Sequence, residues 1–511
     1  MLDSVKKGTY TLRALFAQHN EHRMFFPNLI AIAVAFMTSY NSKALMLMSM
    51  VIVTVMYCLC VRYIFRSNEG QSAKKYAFSV AVGLMLFHSV QYENILWGFQ
   101  TAWFLISMCV VICFIQVGRL LSDCRTKNLV ILIVFAVVAS FSSLHGLFVW
   151  LVIDALLVLA LIQRHSLKKS VYLAVGAAQI LCFILYFATY KKPALHPAYL
   201  QNGIFAAFKY CLSTLGQFFF KSHSLSLLAG GFVFLASCAF LLLAAVKKDF
   251  VRENALPLGL ICFGNLFALS LSVGRSGFGV DQAFSSRYTT NTLLIMVGLT
   301  LCAMPLISRD IRRSVTALSW AVALGAGLLV LRNPFYLGIY QGQKSSRLTD
   351  AYYILNYRTE DLSKRPATSI VAQGAMYESR VGILEEHGWN VFSPSAEKEI
   401  GRFLDSKKAA LPDYPEKAQD FPHWIDSEVG SATSLSLAGW AYSENDDCDV
   451  YIRVGDSYYK ADMNHRPDVK EAFGLNRDDV GFSIIVLGDV TDWQLVLVNR
   501  TKKEIYAGTV K

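Results

Sequence analysis

The feature that most constrains this chain is a succession of apolar blocks, each long enough to cross a bilayer, at residues 44–65, 95–117, 171–190, 225–246, 256–273, 292–307 and 315–331. A helical crossing of a hydrocarbon core about 30 Å thick takes roughly 17 to 25 residues. Hydrocarbon offers no water to backbone N–H and C=O groups, so such blocks must bond internally as helices. Weaker blocks at 76–91, 128–141, 147–162 and 27–40 raise the expected number of crossings to about ten. Composition agrees, since 54% hydrophobic residues and a mean hydropathy of +0.40 are too apolar for a soluble chain of 511 residues. The fold expected is therefore mainly α, a polytopic transmembrane domain.

The net charge of +11 could suggest nucleic acid, but in such a chain the placement of the charges decides. They sit in short loops. Five loops carry sixteen cations: Arg62, Arg66, Lys74 and Lys75; Arg119, Arg125 and Lys127; Arg164, Lys168 and Lys169; Lys247, Lys248 and Arg252; Arg309, Arg312 and Arg313. The alternate loops carry five: Lys191, Lys192, Lys221, Arg275 and Arg287. The positive-inside bias puts the first set in the cytoplasm. Residues 91–94, 142–146, 191–202, 274–291 and everything after Arg332 then lie outside, no nucleic-acid partner is expected, and 205–220 lies along the outer surface or re-enters.

Residues 1–43 fall outside too, with no signal peptide in 1–20 to carry them there. Either 27–40 inserts as a hairpin partner of the next helix, or the chain starts downstream of a first transmembrane helix. Most of the eleven cysteines, Cys58, Cys60, Cys109, Cys113 and Cys182 among them, lie in apolar blocks as small hydrophobes, and Cys448 stands alone in the polar C-terminal third. No disulfide framework or zinc spacing is expected.

This topology gathers the polar clusters on one face. They are His19 to Arg23, Gln91 to Asn94, Ser142 to Gly146 with His145, Lys191 to Pro197, and Gly274 to Tyr288 with Asp281. Ionisable groups at the edge of hydrocarbon are costly, so their convergence marks a functional site. For any one of them a loop ion pair or helix cap is about as common as a chemical role. Glu21 is the preferred general base, for which the plain alternative is a salt bridge to Arg23 or to a neighbouring loop. Glu93 is a second acid or an arginine partner. Arg275 and Arg287 offer the planar fork that phosphate oxygens accept, and Arg23, Lys191 and Lys192 are further candidates for the donor phosphate, though paired lysines at a membrane edge usually just meet anionic headgroups. His19, His22, Gln91, Asn94, His145, Asp281 and Tyr288 are supporting or acceptor-side residues. His19, Glu21 and His22, with His145 or His196 added, could ligate a metal, but the His-x-x-His spacing is a weak signal; no metal is expected, and cofactors are left open.

After Arg332 the pattern becomes soluble. Residues 333–426 read as a mixed α/β linker region, and from 434 the period becomes two, with strands expected at 434–442, 449–454, 458–463, 481–486, 493–499 and 503–510. The boundaries expected are 1–332 for the transmembrane domain, 333–426 for the linker and 427–511 for a small C-terminal β-sandwich, whose default role is binding or packing over the membrane site.

Glu21 within His19 to Arg23, the run Gln91 to Gln100 and Gly274 to Tyr288 together resemble the hallmarks of bacterial multi-spanning glycosyltransferases of the GT-C class. The ending with Gly439-Trp440-Ala441, Arg466-Pro467-Asp468-Val469 and Gly481-Phe482 is similar to a β-domain appended to glycosyltransferases. The resemblance implies an inner-membrane enzyme that takes a sugar from a polyprenyl-phosphate carrier and places it on O-antigen of lipopolysaccharide or another surface polysaccharide, on the extracytoplasmic face. It implies that Glu21, in the first external loop, is the base. The departure is that the class places a transmembrane helix ahead of that loop. Alternatives are an O-antigen polymerase or ligase, and a transporter or flippase of lipid-linked glycan. A transporter is expected to carry charges at mid-membrane, whereas here the charges are read as gathering at one face.

Overall fold

A computed structural model describes residues 1–66, 72–193, 196–304, 339–340, 344, 347–358, 375–417, 420–430, 434–487 and 490–510. The block expected at 315–331 and the basic loop Arg309 to Arg313 lie outside the described residues. The chain divides into two compact units, Met1–Tyr336 and Leu337–Lys511.

In the first unit, short helices α1 (Leu2–Lys6) and α2 (Leu12–Leu15) precede a hairpin of β1 (Gln18–His19) and β2 (His22–Arg23). Then come α3 (Phe25–Met37), α4 (Ser42–Arg66), α5 (Ser72–Leu86), α6 (Tyr92–Leu96), α7 (Thr101–Ser122), α8 (Thr126–Ser140) and α9 (Phe148–Ile162). They are followed by α10 (Lys169–Phe187), α11 (Gly203–Gly216), α12 (His223–Val246), α13 (Phe250–Glu253), α14 (Ala255–Arg275) and α15 (Thr289–Ala303). Six helical segments are long and apolar enough to cross a membrane: Ser42–Arg66, Gly98–Ser122, Leu144–Ile162, Lys169–Phe187, His223–Val246 and Ala255–Phe278. α7 and α14 are the most enclosed, with Phe104, Phe114, Ile261 and Phe263 fully buried in the shared core. α10 and α12 leave Ile180, Ile184, Phe232 and Leu235 exposed, as apolar faces turned to lipid would be.

The connections sort to the two ends of the bundle. At one end Arg119 feels the charges of Arg62 and Arg66, Tyr63 Oη donates to Glu253 O at 2.9 Å, and His165 pairs with Asp249 at 2.6 Å. At the other end meet the β1–β2 hairpin and the loops before α7, between α8 and α9, and between α14 and α15. At 13 residues, α3 is about 20 Å long, short of a full crossing. Its first turn joins this second end, where Phe26 N donates to Phe141 O at 3.3 Å, and α4 begins at the same end, where Leu45 touches Gly98. α11 is likewise flanked by ties to this end: Leu200 N donates to Val273 O and Asn202 Nδ2 to Ser276 O, both at 3.0 Å.

One expectation needs correcting. Charge is not confined to the ends, because Asp154 sits mid-way along α9, where it accepts a bond from Gln179 Nε2 of α10 at 2.8 Å. The two helices frame a cavity of about 420 Å³ lined by Leu151, Gly176, Gln179, Ile180, Phe183 and Ile184.

The second unit is β-rich. After helices α16 (Ala375–His387) and α17 (Pro394–Asp405) come β3 (Glu416–Lys417), β4 (His423–Gly430), β5 (Ser434–Ala441), β6 (Cys448–Val454), β7 (Ser457–Lys460) and β8 (Asp462–Asn464). Helix α18 (Pro467–Phe473), β9 (Gly481–Leu487), β10 (Gln494–Asn499) and β11 (Glu504–Val510) complete it. The strands form a five-stranded sheet in the order β3-β11-β10-β6-β7 and a four-stranded sheet in the order β4-β5-β9-β8. Alternate residues of both meet in one core: Leu435, Leu437, Phe482 and Ile484 from one, Val450, Ile452, Leu495 and Leu497 from the other. Two local expectations change. β4 crosses the boundary expected at residue 427. The single strand expected at 458–463 is two strands, β7 and β8, that belong to different sheets on either side of buried Ala461.

Candidate active site

The β1–β2 hairpin turns on Asn20 and Glu21, and Asn20 adopts left-handed backbone at φ 52°, which asparagine tolerates better than most residues. Gln18 ties the hairpin to the loop after α10, donating to Lys191 O at 2.5 Å and accepting from Lys191 N at 2.9 Å. Tyr186 Oη donates to Glu21 O at 2.9 Å and accepts from Arg23 N at 3.1 Å. The turn is thereby held over the bundle end with the Glu21 carboxylate facing inward.

Around that buried carboxylate converge three side chains, that of the next residue and two from distant parts of the chain. Arg275, the last residue of α14, donates through Nη2 to Oε1 in a charge-assisted bond. His22 Nε2 lies 3.6 Å from Oε1 and His196 Nε2 3.6 Å from Oε2. Leu144 N approaches His22 Nδ1 at 3.4 Å and Ser143 Oγ approaches it at 3.1 Å. An N–H only donates, so Nδ1 is the acceptor and the proton of a neutral His22 ring sits on Nε2, toward Glu21. Ser143 Oγ also reaches His145 Nδ1 at 3.4 Å, and His145 packs on Trp103 and Phe267. Gly146 permits this, because a Cβ there would fall 1.7 Å from Ala139 O.

Burial opposes a charge on Glu21, but His22 and Arg275 outweigh it and hold the carboxyl at about 2. Burial pushes His22 down to about 4 against the opposing pull of Glu21. At pH 7 the imidazole is therefore neutral, and Arg275 is the standing cation beside an ionised Glu21.

A second cluster orders the loop before α15. Glu93 Oε2 accepts from Arg287 N at 2.8 Å and from Ser285 Oγ at 3.0 Å. Asn94 Nδ2 donates to Arg287 O at 2.9 Å and to Thr290 Oγ1 at 2.7 Å, while Gln91 Oε1 accepts from Thr290 Oγ1 at 2.8 Å. Arg287 stays half-buried, with Nε on Ser285 Oγ at 2.8 Å. Buried Tyr288 packs with Tyr210 and Phe267, and neither tyrosine hydroxyl makes a hydrogen bond among the described residues.

The remaining expected residues lie apart. Arg23 directs its guanidinium to protein oxygens: Tyr186 O at 2.7 Å, Phe16 O at 2.8 Å and Thr189 Oγ1 at 2.8 Å. It fastens the hairpin and does not reach Glu21. His19 is exposed against Phe99, Lys191 joins through its backbone, and Asp281 is exposed and pairs with His223 at 2.9 Å. His196, expected only within the polar loop and as a possible added metal ligand, is a direct neighbour of Glu21, and Tyr186, not expected at the site, orders its turn. Among the described residues no group of three or more His, Cys, Asp or Glu is arranged to hold a metal ion. Compared with known proteins, the chain matches no family model, no curated protein and no solved structure.

Proposed function

We propose that the helical unit is a glycosyltransferase of the GT-C kind, moving a sugar from a polyprenyl-phosphate carrier to O-antigen or another surface glycan at the extracytoplasmic face of a bacterial inner membrane. About ten crossings, with residues 333–511 outside and ending in a β-sandwich, belong to the same reading. The observation that carries it is the buried Glu21 carboxylate, paired with Arg275 and flanked by two imidazoles at the loop end of a bundle of apolar helices.

In this reaction the acceptor hydroxyl attacks the anomeric carbon, the carbon–oxygen bond to phosphate breaks, and the hydroxyl proton passes to Glu21. The polyprenyl phosphate leaves as an anion. A carboxylate held at about 2 is a weak base while Arg275 stays on it. Arg275 turning onto the donor phosphate both neutralises the leaving group and raises the proton affinity of Glu21 when the acceptor is in place. Arg287, on the turn ordered by Glu93, is the second phosphate ligand, and His22 and His145 support the base.

The test is to express wild-type chain or Glu21→Gln in the host lacking the gene and to analyse surface polysaccharide, with membrane insertion checked for both. A sugar present with wild type and missing with Glu21→Gln is expected. Identical glycans with both would overturn the base assignment, and a glycan of unchanged composition but shorter length would favour a polymerase. A second reading, a transporter of lipid-linked glycan, is favoured by Asp154, because an ionisable residue at mid-span often marks a transport path.

A further inference from the structure

The outer face of the four-stranded sheet carries aromatic rings apart from the core between the sheets: Trp440 and Tyr442 lie half-buried against a small cluster of Val469, Leu475 and Val480, and Trp424 and Phe473 stand exposed beside them. Trp424 of β4 and Trp440 of β5 are directly opposed in antiparallel register, so both project to the same side, and Tyr442, two residues beyond Trp440, follows it. Trp440 and Tyr442 stack at 5.8 Å and 22°. Phe473, at the end of α18, leans on both rings at 5.1 and 5.7 Å. Burial of these rings is incomplete: Trp424 is 62% exposed and Phe473 51%. An exposed cluster of the largest apolar side chains is costly to leave in water and marks a contact surface.

Polar groups beside the rings indicate what that contact is. Gly481 stands opposite Trp440 on the next strand, and a Cβ there would meet Arg466 Cγ at 2.6 Å, so the arginine stem lies across the glycine beside the tryptophan. Arg466 holds Asp468 in a fork through Nε at 2.9 Å and Nη2 at 2.7 Å, and binds Asp426 through Nη1. Both carboxylates keep open surface, Asp468 at 63% and Asp426 at 39%.

We infer that this face binds carbohydrate, with pyranose rings laid on exposed Trp424 and Phe473, which the half-buried Trp440–Tyr442 stack supports, and their hydroxyls bonded by Asp426, Arg466 and Asp468. A pyranose has one face of C–H groups that packs on an aromatic ring, and an edge of hydroxyls that both donate and accept. Oriented carboxylates and a guanidinium beside flat rings complement both. An anionic lipid surface would meet two carboxylates here, and a purely apolar partner would bury all three ions. The inference does not depend on transferase activity in the other unit.

The test uses the full chain in phosphatidylcholine nanodiscs on an array of glucans and of bacterial capsular and O-polysaccharides, beside Trp424→Ala and Phe473→Ala. Both substitutions are at exposed rings, and unchanged melting temperatures would show the fold intact. Retention of one or more glycans is expected, with the dissociation constant rising about tenfold or more in each variant and Trp424→Phe lying between. Absence of retention on the whole array, or retention equal in wild type and both variants, would overturn the inference. So would variants that instead lose self-association in light scattering or lose pelleting with anionic vesicles.

Discussion

Glu21 and Glu93 are carboxylates at the same end of one helical unit, in loops of similar polarity, and they are held in opposite ways. Glu93 accepts from a backbone N–H and a serine hydroxyl of one short turn, bonds that any ordered loop would use. Glu21 has its own backbone N–H, but its charged and ring partners are side chains from positions 22, 196 and 275. Backbone donors cannot leave without unfolding the turn, whereas Arg275 and His196 can rotate away on rotamers. The first arrangement fixes a loop, and the second can exchange a protein partner for a ligand.

Transfer activity should separate the two most widely. Glu21→Gln is expected to lower sugar transfer by on the order of a thousandfold, and Glu93→Gln by about tenfold, since the latter only loosens the turn that carries Arg287. Equal losses, read from the same membranes in a donor-turnover assay, would erase the distinction. Next in size is Arg275→Met, which strands a buried carboxylate and should cost about 3 to 5 kcal/mol in denaturant melts of the detergent-solubilised protein. Adding Glu21→Gln should recover much of that loss. A double variant as unstable as the sum of the singles would mean that the pair is not coupled.

How far these roles were legible in the sequence follows from the distance over which each is determined. α4, α7 and α14 could be read because apolar runs of their length have one outcome in lipid, and β5, β6 and β9 because alternation over one strand is local. Glu21 was singled out because a charge cluster at a block edge is conspicuous. His196 was read only as part of a polar loop and a possible metal ligand, since its approach to Glu21 spans 175 residues of chain, a matter of packing that local pattern does not encode. Arg23 was expected beside a phosphate on charge alone, but Tyr186 O and Phe16 O claim it. β4 was hidden because its run of His423, Trp424, Ile425 and Asp426 lacks clean alternation and carries a register shift between Ile425 and Ser427.

Acid should expose the Glu21 cluster in two stages. His22 sits at about 4 in the folded chain against 6.5 ordinarily, so the unfolded chain takes up that proton first. Its contribution to stability is intact above pH 6.5 and is lost as pH falls from 6.5 to 4. Glu21 lies at about 2 against 4.5, so its contribution is intact above pH 4.5 and is lost only as pH falls below that toward 2. Melting temperatures measured from pH 8 to 4 should therefore fall in the wild type and flatten in His22→Asn. A slope unaltered by that substitution would place the acid sensitivity elsewhere.

The smallest effect is expected at Asp154, and it bears on what the Glu21 site is for. Asp154 accepts a bond from Gln179 Nε2 within two packed spans, a bond that an asparagine Oδ1 can also accept, so Asp154→Asn should shift stability by only about 1 kcal/mol. If chemistry is completed at Glu21, as the contrast with Glu93 implies, the substitution should change surface-glycan modification by less than about twofold. A transporter would depend on the charge itself, because a mid-membrane carboxylate earns its desolvation cost only by binding or moving a charged or protonated species. Loss of glycan modification in Asp154→Asn, with normal insertion and normal melting, would move the essential step from the loop end to the middle of the bundle. The exchangeable partners of Glu21 would then be an entry point to a transport path, with no transfer occurring there.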